Sequence, residues 1–82
     1  MTIPKRHRVT DGLSQLLGVN VTTGRNHQRP DGSIHREILI NGQRTGINID
    51  SYMMDDFDEK GKLDQYINDL AKCIREKDVL NE

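Results

Sequence analysis

The chain has 82 residues, of which 33% are hydrophobic and 30% charged, with a formal net charge of −1 at pH 7. That length and composition describe one small, thinly cored domain, with little material to wall a large enzyme pocket. The longest unbroken apolar run, Ile38-Leu39-Ile40, is too short to cross a membrane, and no apolar stretch follows the basic start as a secretory signal requires.

Residues 1–10 read as a basic, flexible N-terminal arm, with Pro4 as an interruption and Lys5-Arg6-His7-Arg8 as a short cationic cluster. The remainder, 11–82, reads as a single α+β domain. It opens on one short helical turn over Asp11 to Leu17, with Asp11 as its cap and Gly18 as its stop. Val19, Val21 and Thr23 alternate with Asn20 and Thr22, which is strand spacing. Gly24 to Gly32 is predicted as a polar loop that carries Arg25, Asn26, His27, Gln28 and Arg29 and closes on a Pro30-Asp31-Gly32 turn signal.

A second strand is predicted from Ser33 to Ile40 and a third from Gln43 to Asp50, joined by Asn41-Gly42, the strongest short-range hairpin signal. Pairing Ile40 with Gln43 sets Ile38 opposite Thr45, Arg36 opposite Ile47 and Ile34 opposite Ile49. That face is apolar apart from Arg36. The other face, with His35, Glu37, Leu39, Arg44, Gly46 and Asn48, is polar and predicted to stay open.

The last third supplies a cover for the apolar face. Leu63, Ile67, Leu70 and Ile74 share one helical stripe, with Tyr66 and Cys73 along one edge and Ala71 along the other. Asp56 and Glu59 resemble an acidic capping box ahead of this helix. Before it, Tyr52, Met53, Met54 and Phe57 form a second apolar cluster over the end of the sheet. The predicted fold is therefore a three-stranded antiparallel sheet packed on one C-terminal amphipathic helix.

Chemistry that needs a metal, a cofactor or a nucleophile finds little support. The soft ligands His7, His27, His35 and Cys73 have no zinc-site spacing. Cys73 has no histidine within local reach, and a free cysteine at the edge of a buried stripe behaves as a small hydrophobe. Its being alone also rules out an intrachain disulfide framework and favours a cytoplasmic setting. The glycines form no phosphate-binding motif. The expectation is a protein that is not an enzyme and carries no cofactor.

Charge is more informative. Through Asn48 there are seven basic residues and three acidic ones; from Ile49 onward there are five basic and ten acidic. Basic and hydrogen-bonding side chains gather in the arm (Lys5, Arg6, Arg8), in the first loop (Arg25, Asn26, His27, Gln28, Arg29) and on the open sheet face (His35, Arg44, Asn48), a set suited to phosphates and to base edges. With only Tyr52, Phe57 and Tyr66 as aromatics there is no platform for stacking single-stranded bases, so duplex DNA is the better match.

The order of elements, Gly18-Val19-Asn20-Val21, then Ser33 to Ile40, Asn41-Gly42, Gln43 to Ile49 and a helix, resembles the DNA-binding domain of plant ethylene-response factors. It is also similar to the arm-site-binding domain of tyrosine-type phage integrases. The resemblance covers about sixty residues and implies a sheet laid in the major groove, with Arg25, Arg29, His35, Glu37 and Arg44 on the binding face.

Two functional classes follow. One is a small duplex-DNA-binding module, an accessory or regulatory protein of a phage or mobile element. The other is a protein-binding inhibitor or regulator, such as a phage-encoded inhibitor of a host defence system, whose acidic run Asp55, Asp56, Asp58 and Glu59 mimics phosphates toward a host protein. A thin core also leaves room for a homodimer, through the Tyr52–Phe57 cluster or an exposed strand edge.

Overall fold

The turn at Asn41-Gly42 closes a hairpin as its sequence predicts. Asn41 has φ 51° and Gly42 has φ 83°, the two positive values that a two-residue primed turn requires. The computed structural model describes residues 3–77. In chain order these form α1 (Lys5–Leu17), β1 (Val21–Gln28), β2 (Ile34–Ile40), β3 (Gln43–Asp50), α2 (Ser51–Glu59) and α3 (Leu63–Glu76). The sheet is antiparallel throughout, in the order β1-β2-β3, and the fold is α+β. A Cβ added to Gly42 would meet nothing within 4 Å, so only its backbone angle restricts that position. Gly42→Val should therefore cost about 1–3 kcal/mol in strain alone, read as a lowered thermal midpoint.

α3 covers the sheet as its stripe predicts. Leu63, Tyr66, Ile67, Leu70, Ala71 and Ile74 are buried, and they join Ile38, Ile40 and Ile49 from the sheet in one apolar cluster. Cys73, expected at the edge of the stripe, is exposed instead. The stripe turns toward Tyr66, Leu70 and Ala71, which leaves position 73 facing out.

The basic arm is a correction. Residues Lys5 to Thr10 are not a flexible arm but the first half of α1, which runs unbroken across the boundary expected at residue 10 and places Asp11 in its interior. Pro4 precedes the helix, its carbonyl accepting from the N–H groups of His7 and Arg8. What draws the segment into the fold is burial: Val9 and Leu13 are fully enclosed, and α1 lies against both α3 and β1. Gly12 sits at the crossing, where an added Cβ would lie 2.9 Å from Ile67 Cδ1. The short contact explains a glycine in mid-helix, and its poor helix propensity explains why the sequence underplays this element.

Two strand irregularities also depart from expectation. β1 continues to Gln28, through residues expected in a loop, and its register shifts between Thr23 and Asn26. One extra residue there reverses the alternation, so that Asn26 pairs with Arg36 and His27 with His35. In β3 the register is as predicted next to the turn, with Leu39 opposite Arg44. It then slips by two: Glu37 pairs with Asn48 and Arg36 with Ile49, not with Ile47. A slip of two keeps every side chain on its predicted face. Gly46, at φ 75°, makes the bend, and buried Thr45 mends the ladder. Its hydroxyl donates to the Ile38 carbonyl at 2.8 Å and accepts from the Ile47 N–H at 3.1 Å.

The segment after the sheet is a helix capped by Asp50; Asp56 and Glu59, expected as a capping box ahead of α3, lie within it, and α3 follows Lys62 with no side-chain cap. The Asp50 carboxylate accepts from the N–H groups of Tyr52 and Met53. The same carboxylate meets His35 Nε2 at 3.1 Å, while the Asp50 N–H donates to the Tyr66 hydroxyl. Burial pushes that phenol above its usual pKa. The Phe57 and Tyr66 rings stack at 5.2 Å between centroids, tying α2 to α3. Arg36, the polar residue on the apolar face, donates to the Asn26 side chain across the sheet; partial burial, with Arg6 close by, lowers its pKa.

Candidate nucleic-acid interface

With α1 and α3 packed on one side of the sheet, the other side carries no helix among the described residues. There β1, β2 and β3 hold up a shallow basin of about 800 Å³. Gly24 and Gly42 line it with no side chain and Leu39 with an apolar one, while Arg25, His27 and Arg29 come from β1 and the turn that follows it. His35 and Glu37 stand in the middle, and Arg44 and Asn48 on β3. The alternation of a strand puts these residues on one face, and the extra residue in β1 decides which of its side chains join them.

The sequence-predicted binding residues thus divide into two groups. Arg25, Arg29, His35 and Arg44 are brought together around the basin. Lys5, Arg6 and Arg8 are on α1, in the layer behind the sheet. Lys5 Nζ lies 3.0 Å from Asp55 and 3.4 Å from Asp58, and Arg8 lies 3.7 Å from Asp58. The Asp55 hydrogen bond, ahead of the cost of desolvation, raises the Lys5 pKa. Asp56 pairs with Lys60 one helical turn on, and Glu59 is exposed. Lys5 and Arg8 of the expected cationic arm and Asp55 and Asp58 of the expected acidic surface are thus each other's counter-charges. An N-terminal cluster and an acidic run fifty residues apart carry no local sign of this pairing.

The carboxylates at or beside the basin are all engaged. Glu37 Oε1 accepts from Arg44 Nε at 2.8 Å and Oε2 from the Gly46 N–H at 2.9 Å. The Arg44 bond, opposed by desolvation and helped by the backbone bond, holds the Glu37 carboxyl below its usual pKa. Asp31, in the turn after β1, accepts from both the hydroxyl and the N–H of Ser33, and those bonds lower its pKa as well. Asp50 is occupied by the α2 cap and His35. The guanidinium groups of Arg25 and Arg29, by contrast, enter no ion pair among the described residues.

His27 and Asn48, expected among the hydrogen-bonding groups of this surface, both line the basin. His27 was assigned to a loop, and only the extra residue in β1 turns it toward His35. Among the described residues no three His, Cys, Asp or Glu side chains converge as a metal site, and no helix is long and apolar enough to cross a membrane. No family model, curated protein or solved structure matches the chain.

Proposed function

We propose that the protein is a small duplex-DNA-binding module that presents its uncovered sheet face to the groove. One observation carries the reading: Arg25 and Arg29, neither of which has a carboxylate partner among the described residues, share a face with Arg44, His27, His35 and Asn48. On α1 and α2, by contrast, Lys5 and Arg8 are met by Asp55 and Asp58. Three strands span about 10 Å between the outer backbones, comparable with the roughly 12 Å width of the major groove. Arginine and asparagine are side chains that read base edges there, and arginine also contacts phosphates.

The aromatic residues favour duplex over single strand. Tyr52 and Phe57 are on α2 and Tyr66 on α3, so none offers a ring on the sheet face for unpaired bases to stack on. The arrangement also agrees with the resemblance to the ethylene-response and integrase arm-binding domains, in which the sheet meets the duplex. An acidic, protein-directed surface is the weaker reading, because Asp55 and Asp58 are already met by Lys5 and Arg8.

Affinity for mixed-sequence duplex DNA, measured over a range of salt concentrations, tests the proposal. The wild type should lose affinity steeply as salt rises. Arg29→Ala should weaken binding to all sequences alike and make the salt dependence shallower by about one. Absence of wild-type binding at low salt would remove the duplex reading.

A further inference from the structure

We propose that Arg44 is the residue that selects guanine, with Glu37 as its positioning residue; the inference rests on the duplex-binding reading and deepens it. The Arg44 side chain is 83% exposed, yet its Nε is fixed at 2.8 Å on a carboxylate that is itself only 18% exposed. Glu37 stands on the central strand, and its second oxygen is held by the Gly46 N–H. The anchor is therefore fixed at both oxygens while the arginine extends outward.

That geometry suits recognition better than stability. An exposed ion pair contributes little to folding. A guanidinium braced through Nε, however, keeps the N–H donors of both terminal nitrogens for a ligand, in a planar fork. The O6 and N7 acceptors of guanine in the major groove match that fork, and no other base offers the same pair. Arg25 and Arg29 lack such a brace among the described residues and are suited to phosphates, which demand less of orientation. Gly46 makes the arrangement: its positive φ creates the slip in β3 that brings its N–H onto Glu37 between Arg44 and Asn48.

The brace also addresses the obvious objection, a carboxylate on a face that meets DNA. Glu37 receives one charged and one neutral donor and is largely screened from solvent, so it serves the arginine instead of facing a phosphate.

The test uses three short duplexes: one rich in G·C, its copy with every guanine replaced by 7-deazaguanine, and one of A·T alone. The replacement keeps Watson–Crick pairing and removes the N7 acceptor. The wild type should bind the first about 5- to 100-fold more tightly than the second. Arg44→Lys should abolish that difference while leaving the salt dependence unchanged. Glu37→Ala should shrink it at unchanged salt dependence, and Glu37→Gln, which retains an acceptor oxygen, should restore part of it. Thermal melts of each variant establish that the measurements are made on folded protein.

Wild-type binding that ignores the deaza replacement would overturn guanine selection and leave the duplex reading standing. So would an Arg44→Lys variant that still discriminates. A Glu37→Ala variant that loses affinity equally for all three duplexes would overturn the positioning role. No wild-type binding to any of them at low salt would remove the duplex reading, and this inference with it.

Discussion

Leu13→Ala should destabilise the protein by roughly 2–5 kcal/mol, the range for removing a buried leucine from a packed core. Leu13 is fully buried, and its helix lies against α3 and β1, so neither neighbour is free to collapse into the space. A domain of this size has only about 4–12 kcal/mol of stability in total. The variant should therefore unfold at a much lower urea concentration, with the midpoint shift as the readout. A change below about 0.5 kcal/mol, typical of a surface position, would mean that α1 is not part of the core.

Thr45→Val should cost roughly 2–4 kcal/mol although it hardly changes the volume of the side chain. The hydroxyl serves two backbone groups at the slip in β3, as donor to the Ile38 carbonyl and acceptor for the Ile47 N–H. Valine leaves both without that partner, and each unsatisfied buried polar group costs about 1–3 kcal/mol. Thr45→Ser, which keeps the hydroxyl but loses a methyl group, should retain much more of the stability than valine does. Equal melting temperatures for the wild type and Thr45→Val would show that the backbone pairs without help from this side chain.

Those two substitutions also mark where the sequence was readable and where it was not. Asn41-Gly42 announces its turn because the required backbone angles admit few residues. The stripe Leu63, Ile67, Leu70, Ile74 announces α3 because helical spacing and burial agree there. α1 lacks that agreement. Its buried Val9 and Leu13 are interrupted by Thr10 and Gly12, and the contact that justifies Gly12 is with Ile67, far along the chain. The polar face of the sheet was recognised from the alternation of β2 and β3, whereas Arg25 and His27 were expected in a loop and not on β1. The extra residue in β1 and the slip in β3 are held by tertiary hydrogen bonds and by backbone angles that no local period encodes. Arg25, Arg29, His35 and Arg44 could be grouped in advance, whereas the Lys5–Asp55 and Arg8–Asp58 pairs required the assembled helices.

The packing of α1 on α3 sets the order in which a newly made chain can mature. Arg75 reaches the Leu16 carbonyl across 59 positions of sequence. At about 5–20 residues per second of synthesis, α1 waits roughly 3–12 s before its partner has even been translated. During that interval a thirteen-residue helix is marginal on its own, and Val9 and Leu13 have no α3 against which to bury. The hairpin of β2 and β3 is local and forms within microseconds once made. The sheet residues Ile38, Ile40 and Ile49 wait for the same helix, so α1 and the sheet complete their burial together, only once α3 has been made.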